Sequence, residues 1–212
     1  MNQKTSSSVN PINSRAGRAT LITLLIIFFA VVAVCFSVPR LLQRSVDAPT
    51  GLVEIDGLED KVTIRRDQLG VPFIEAQNEN DLHFALGYTT ASDRLWQMYV
   101  LSRLAQGRIS EIAGEDLLNV DIYIRTLGVK HLTDMLYQNL EEKYKMPFIQ
   151  FARGVNAYLE TKKHLPLEFI LSGYTPDPWE PQDGAYIFGL INLVMAGNMM
   201  EELAFLQFAG KM

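Results

Sequence analysis

The 212-residue sequence has a single cysteine, Cys35, and three scattered histidines, His83, His131 and His164. One thiol excludes an internal disulfide framework, and no Cys/His grouping has the spacing of a zinc site. An excess of positive charge is missing too. The formal net charge is -5 at pH 7, which argues against a nucleic-acid grip built on bulk charge, so no nucleic-acid partner is expected. The common catalytic signatures are absent as well. There is no Gly-x-Ser-x-Gly elbow, since Ser172 in Leu171-Ser172-Gly173 lacks the first glycine. No Ser-x-x-Lys pair, His-Glu-x-x-His motif or phosphate-cradling glycine loop occurs. In His164-Leu165-Pro166-Leu167-Glu168, Pro166 spoils the helical face that a metal pair would need. No spacing gives any histidine a catalytic partner, so each reads as an ordinary surface or core side chain.

Hydrophobic residues make up 48% and charged residues 20% of the chain, which excludes a disordered polymer and gives one domain, or one domain plus an appendage. The charge is uneven. Residues 1–50 hold five basic side chains and one acid, a net +4, so the rest carries -9 of the total -5. Residues 1–18 are polar and basic with no acid, and residues 19–38 then carry no charge. Twenty helical residues span about 30 Å, the thickness of a bilayer's hydrocarbon core. The expected organisation is a cytoplasmic basic segment (1–18), a transmembrane anchor (19–38) ended by Pro39, a tether (39–50) and an exported domain (51–212), periplasmic or extracellular. The alternative is a signal sequence whose cleavage releases a secreted domain. Its apolar core would be long for a signal, and Val34-Cys35-Phe36 makes a poor exit site. Cys35 is then apolar filler within the span.

Beyond residue 50 the expected class is α+β, mostly helical with an N-terminal hairpin. Val62–Arg66 and Val71–Ala76 have strand composition around an Asp67–Gly70 turn, with Pro72 at a strand start or edge. Asn78 or Asn80 caps a helix whose stripe is Leu82, Ala85, Tyr88, Ala91, Leu95 and Met98, stopping near Gly107. Residues 111–114 form a short helical turn, and residues 121–140 a mixed helical pattern. Pro147 marks the first turn of a helix through about Lys162. Residues 165–181, with four prolines, are an ordered loop. Asp183 caps a long apolar helix through about Phe208. A lone hairpin is marginal, and residues 187–200 are apolar nearly all round without enough partners for burial. The sequence therefore reads as the front part of a larger fold.

Several segments resemble the penicillin acylases (penicillin amidases). Arg66-Asp67-Gln68-Leu69-Gly70-Val71-Pro72-Phe73-Ile74 is similar to the family's opening strand, RD-x-x-G-[VM]-P-H-I. Gly87-Tyr88-Thr89-Thr90-Ala91-Ser92-Asp93-Arg94-Leu95-Trp96-Gln97-Met98 resembles its GY-x-x-A-Q-D-R-L-[WF]-Q-M helix. Gly107-Arg108-Ile109-Ser110-Glu111, Gly154-Val155-Asn156-Ala157-Tyr158-Leu159, Leu165-Pro166-Leu167-Glu168-Phe169, Pro176-Asp177-Pro178-Trp179-Glu180-Pro181-Gln182-Asp183 and Gly197-Asn198-Met199-Met200-Glu201-Glu202-Leu203 follow in the family's order.

The resemblance implies an N-terminal-nucleophile hydrolase made from one precursor that cuts itself into α and β chains. The hairpin would join its αββα sandwich. The nucleophile is the serine that opens β, with its own α-amino group as base. An α-amine titrates near ~8 and can accept a proton at neutral pH without a histidine. Oxyanion donors also come from β, so this α-like chain is expected to be inert alone, with Met212 near the end of α. The implied partners are the β portion, the membrane through residues 19–38 and, in the complete enzyme, a small N-acyl substrate such as a β-lactam side chain or an acyl-homoserine lactone. Glu202 aligns with the α-chain ligand of a calcium ion, whose six to eight oxygens must come mostly from elsewhere. Asp93 and Arg94 are implied to be a buried polar pair organising the α/β interface. Asn192, Met195 and Ala196 fall in the segment lining the acyl pocket. This segment lacks the aromatic and arginine of some penicillin G-type relatives, so an aliphatic acyl group is expected. A reading of another class is a membrane-anchored interaction module without chemistry, or a decayed fragment of the family.

Overall fold

Residues 15–45, 51–162 and 164–209 are described by the computed structural model. The chain divides into two units, Met1–Val46 and Asp47–Met212. The first unit contains helix α1 (Arg15–Ser45). Its stretch Arg18–Ser37 has a mean hydropathy of 2.9 with none of it buried, as suits either a signal sequence or a membrane span. Thr23 donates its hydroxyl to the Ala19 carbonyl at 3.0 Å, which satisfies a polar group inside an apolar run. Pro39 does not end the helix, which continues to Ser45. Proline removes one helical hydrogen bond and adds a clash, and the surrounding turns carry the helix through. The expected tether at 39–50 is therefore helical as far as residue 45, and residues 1–14 and 46–50 lie outside the described residues.

In the second unit, β1 (Thr63–Arg66) and β2 (Pro72–Glu75) pair antiparallel, with Ile64 opposite Ile74 and Arg65 opposite Phe73. Asp67 builds the turn. Its Oδ1 accepts from the amides of Leu69 at 2.9 Å and Val71 at 2.8 Å, an Asx turn. The strands occupy the expected positions, and among the described residues they form a two-stranded sheet.

Helix α2 (Glu79–Ala105) starts at Asn78, whose side chain accepts from the Asp81 amide at 2.8 Å. Asn78 is thus the cap, and Asn80 is not. Of the expected stripe, Ala85, Ala91, Leu95 and Met98 are buried, while Leu82 faces outward. The helix is interrupted at Arg94 (φ -145°, ψ 30°). Helix α3 (Ser110–Ala113) and a single 3₁₀ turn (Glu115–Leu117) follow. The expected pattern over 121–140 is two helices, α4 (Leu118–Leu127) and α5 (Val129–Asn139), divided by Gly128 in the left-handed conformation. Helix α6 (Glu142–Thr161) begins five residues before Pro147, so that proline lies inside it rather than in its first turn. The Pro-rich loop contains a helix, α7 (Leu167–Ser172), entered from Pro166 and closed by Gly173 at φ 68°.

The expected long final helix is also two: α8 (Pro181–Met195) and α9 (Met199–Ala209), broken over 196–198. Helix α8 begins before Asp183, which sits at its third position and accepts from the Glu180 amide at 2.9 Å.

The core is the crossing of α2 and α6, closed by α7 and the Trp179 strap. Ala91, Leu95, Met98 and Tyr99 meet Ala152, Val155, Tyr158, Phe169 and Trp179. The two helices touch backbone to backbone. A Cβ on Gly87 would lie 2.1 Å from the Phe151 carbonyl oxygen, and one on Gly154 would lie 1.9 Å from that of Phe84. The contact is reciprocal because both helices carry Phe-Ala-x-Gly, Phe84–Gly87 and Phe151–Gly154. A second cluster, from Ala105, Ile124, Val129, Tyr186 and Leu190, joins α8 to α4 and α5.

Candidate functional site

The residues nominated for the acyl wall lie at the end of α8. Asn192, Met195 and Ala196 are three and four apart, so they share one side of the helix, and all three are exposed. The apolar surroundings are bare: Met195 is 81% exposed, Val194 71% and Phe188 66%. Asn192 donates its amide to the Phe188 carbonyl at 3.0 Å. The Ala196 amide closes the helix on the Asn192 carbonyl at 3.0 Å. The other side of α8 differs: Tyr186 and Leu190 are buried in the second cluster and Leu193 packs half-buried against it, while Ala185 is buried as well. Burial along one side and exposure along the other make α8 a shelf, seated on the second cluster with an apolar face left bare.

Glu202 is exposed in the first turn of α9 and accepts from the Asn198 amide side chain at 2.7 Å. Among the described residues no three His, Cys, Asp or Glu side chains gather where a metal ion could be held. Glu202 thus offers one carboxylate toward the six to eight oxygens calcium requires, and this donor set does not hold the ion by itself.

Asp93 and Arg94 do not pair with each other, and both are exposed in this chain. Asp93 receives a two-pronged bond from Arg66 at the end of β1, at 2.9 and 2.7 Å. This fork ties the hairpin to the point where α2 breaks. Hydrogen bonding to Asp93 raises the Arg66 pKa over a smaller opposing effect of burial. Arg94 donates to Gln97 at 3.1 Å. Within this chain Asp93 thus pairs with Arg66, and Arg94 with Gln97. Neither residue bonds to the 192–202 segment among the described residues.

The buried polar centre is elsewhere. Asp183 accepts from Ser102 Oγ at 2.6 Å and Gln106 Nε2 at 2.9 Å, and lies 3.7 Å from Arg103 Nη1. Arg103, only 4% exposed, also donates to Tyr174 Oη at 2.9 Å and to Asp177 at 2.8 Å. Tyr99 donates to the Asp177 carbonyl, and burial, with the nearby Asp183 charge, holds its pKa well above the ordinary tyrosine value. One signal of this centre was available in the sequence: Ser102, Arg103 and Gln106 are polar on an otherwise apolar helix end. Their partners, 71 to 81 residues away, were not visible.

A second anchor joins α5 to α8. Tyr186 donates to Asp134, and Lys130 donates to Asp134 at 2.6 Å and to Tyr186 at 3.1 Å. Burial pushes the Asp134 carboxyl up, but the bonds from Lys130 and Tyr186 outweigh it and hold the pKa below the usual value. A shallow cavity of about 450 Å³ lies nearby, lined in part by Arg108, Arg125, Lys130 and His131. Its cations are already engaged, Arg108 by Glu111, Lys130 by Asp134, and Arg125 by the Gly107 carbonyl at 2.7 Å.

No described serine, threonine or cysteine is set against a histidine. Ser102 meets a carboxylate but is fully buried, so no substrate reaches it. What the arrangement can supply is an apolar wall held by a rigid polar root.

The family model for penicillin amidase matches residues 61–212. The acyl-homoserine lactone acylase QuiP of Pseudomonas aeruginosa is 42% identical over 168 residues, 79% of this chain and 20% of that protein. The penicillin acylase 2 proenzyme of Pseudomonas sp. (strain SE83) is 35% identical over 154 residues, 73% of this chain and 20% of that protein. The chain thus spans about a fifth of the length of these curated relatives. A solved structure, the thermostable penicillin G acylase of Alcaligenes faecalis, superposes with a TM-score of 0.56 at 26% identity, covering 68% of this chain and 74% of that one. Sequence and fold agree that the chain belongs to the penicillin amidase family, a family of acyl-amide hydrolases.

Proposed function

We propose that this chain is the α portion of an amide hydrolase that cleaves N-acyl bonds, with an acyl-homoserine lactone or another aliphatic N-acyl compound as substrate. The observation that carries the reading is the 42% identity to an acyl-homoserine lactone acylase over 79% of this chain. The bare, flexible, apolar end of α8 supports it, because Met195 and its neighbours suit an alkyl chain. In this reading the nucleophilic serine belongs to a complementary β portion. Its hydroxyl attacks the acyl carbonyl, the amine leaves with a proton, and water then releases the acid from the acyl-enzyme. Asn192, Met195 and Ala196 line the acyl end of the site, and the β1–β2 hairpin extends the sheet of the assembled αββα sandwich. Asp93 and Arg94 face the β portion. Glu202 contributes one oxygen to a calcium ion completed by β. Helix α1 directs the domain across the membrane, as an uncleaved anchor or as a signal whose removal frees it.

The test is to co-express the chain with the portion of the Pseudomonas aeruginosa acylase that follows the matching region, and to assay N-acyl homoserine lactones. Free fatty acid from the assembled pair, and none from either portion alone, is the expected result. Acid release by this chain alone would refute the division of labour. A stable complex without hydrolysis would favour a non-catalytic interaction module.

A further inference from the structure

We infer that Arg66 positions the outer edge of β1 for pairing with a strand of the complementary β portion, with Asp93 as its anchor. This rests on the α-portion reading above and adds to it which edge pairs and which side chain holds that edge in place.

The phase of the hairpin ladder identifies the edge. Thr63 stands opposite Glu75, Ile64 opposite Ile74, Arg65 opposite Phe73 and Arg66 opposite Pro72. One step further along, the Asp67 amide donates to the carbonyl of Val71, directly opposite, at 3.1 Å. Hydrogen-bonded and non-hydrogen-bonded pairs alternate along an antiparallel ladder. Counting back from Asp67 and Val71, the bonded pairs are Arg65 with Phe73 and Thr63 with Glu75. The backbone groups of Ile64, Arg66, Pro72 and Ile74 therefore turn outward, away from the neighbouring strand. On β1 the N–H and C=O groups of Ile64 and Arg66 make that edge complete. On β2 one donor is missing, because Pro72 has no N–H, and proline suits a strand edge that faces away from further pairing. The edge of β1 is thus the one that a further strand can join.

Among the described residues the sheet has two strands, and a two-stranded hairpin is marginal by itself. The chain spans about a fifth of the length of its curated relatives. On the α-portion reading, the strand that joins β1 belongs to the complementary portion, which gains main-chain hydrogen bonds by adding to an open edge.

Arg66 acts on this edge with both its backbone and its side chain. Its N–H and C=O lie on the edge, while its Nη1 and Nη2 fork onto Asp93 of α2 at 2.9 and 2.7 Å. The same Nη1 donates to the Gly70 carbonyl at 2.9 Å. One side chain thereby joins the end of β1, the turn, and the point where α2 departs from helical geometry. Strand β2 also lies against α2, with Pro72 and Ile74 half-buried. Apolar burial of that kind is non-directional, whereas a two-pronged charged bond fixes an orientation. Without the fork, the edge is correctly placed in only a fraction of molecules, and the apparent affinity for the partner falls by that fraction.

The full chain is co-expressed with a tagged form of the portion of the Pseudomonas aeruginosa acylase that follows the matching region. The chain captured is measured for the parent, Arg66→Gln, Asp93→Asn and the exchange Arg66→Asp with Asp93→Arg. Each single change is expected to lower capture about tenfold, and the exchange to restore most of it. The urea midpoint of the full chain alone, in mild detergent, moves little, because the pair is partly exposed. Residue-resolved hydrogen exchange then reads the edge itself. Assembly slows the Ile64 and Arg66 amides by about 100-fold and leaves the Ile74 amide unchanged. Capture of Arg66→Gln at the parent level, or slowing at Ile74 in place of Ile64 and Arg66, overturns the inference while leaving the α-portion reading intact. Slowed Ile64 and Arg66 amides in the chain alone, at doubled mass, assign the edge to a second copy and overturn the choice of partner. A parent pair that never assembles overturns both readings.

Discussion

Alanine at position 154 tests whether the α2–α6 crossing carries the fold. By intrinsic propensity the change should help, since alanine is favoured over glycine within a helix by about 1 kcal/mol. The structure reverses the sign. The new Cβ would lie 1.9 Å from the Phe84 carbonyl oxygen, 2.8 Å from its carbon and 2.9 Å from the Tyr88 nitrogen. All three are backbone atoms of α2, so no rotamer change relieves them. Reaching ordinary contact at 3.4 Å requires about 1.5 Å of separation, and a gap of 0.5–1 Å already removes roughly a quarter to a half of the dispersion energy of facing atoms. Overpacking of this kind costs ~1–3 kcal/mol, or more where the backbone must move. Set against the propensity gain, Gly154→Ala should lose about 2 kcal/mol, which for a domain of this size lowers Tm by roughly 4–8 °C.

Gly184→Ala in α8 is the control, because its Cβ would meet only the Phe148 ring, at 3.4 Å. It should be neutral, or stabilising by up to ~1 kcal/mol. Urea unfolding of the full chain in mild detergent, followed by tryptophan fluorescence, reads the core directly, because Trp179 lies within it and Trp96 packs against it. A Gly154→Ala chain as stable as its parent, or two variants that shift alike, would refute the backbone-contact argument.

Two further perturbations address the loops. Asn156 donates to the Trp179 carbonyl at 2.9 Å and accepts from its amide at 2.8 Å. Asn156→Ala should cost ~1–3 kcal/mol by leaving these partly buried groups unpaired, with a red shift in tryptophan emission; an unmoved spectrum and midpoint would show that the strap holds without it. Asp81 and Asp121 predict the acid limb of stability. Burial pushes both carboxyls up, but for Asp81 the Glu59 and Asp60 amides, and for Asp121 the Ser110 hydroxyl with the Ser110 and Ile109 amides, outweigh it and leave both pKa values below the ordinary 3.8. The stabilisation is therefore complete above the unfolded value near ~3.9 and is lost as pH falls through the lower folded values. Tm should stay flat from about pH 7 to 5 and fall below about pH 4. Asp121→Asn should lower Tm at pH 7 and shallow the acid limb, and an acid limb of unchanged steepness would count against that assignment.

What the sequence made legible is what neighbouring residues decide. The hairpin follows from two β-rich runs around Asp67–Gly70, and the start of α2 from an asparagine three residues before Asp81. The misplaced boundaries have local causes that the apolar pattern hid. Periodicity runs on through Gly128, yet its φ of 73° ends α4. It runs on past Met195 as well, where Ala196–Asn198 break the last helix. Pro147 and Pro39 look like boundaries in the sequence, yet both sit inside helices. The Asp93–Arg94 dipeptide suggests a pair, but Asp93 bonds to Arg66, 27 residues away, and Arg94 to Gln97.

The contacts that escaped share one chemistry. Asp81 holds the amides of residues 59 and 60, Asp121 those of 109 and 110, Asn156 that of 179, and Asp183 that of 180 together with two side chains of α2. In each case a short polar side chain on a helix satisfies backbone donors in a connecting loop. A buried, unpaired N–H costs on the order of 1–3 kcal/mol, so the loops settle where such acceptors are offered. In a chain whose apolar surface is so largely uncovered at α8 and α9, these clamps do for the loops what a thicker core does elsewhere. The same logic explains how a helix with a bare apolar face can still hold one direction: directional bonds to Asp183 and Tyr186 add to the packing of Leu190 and Leu193 on the second cluster.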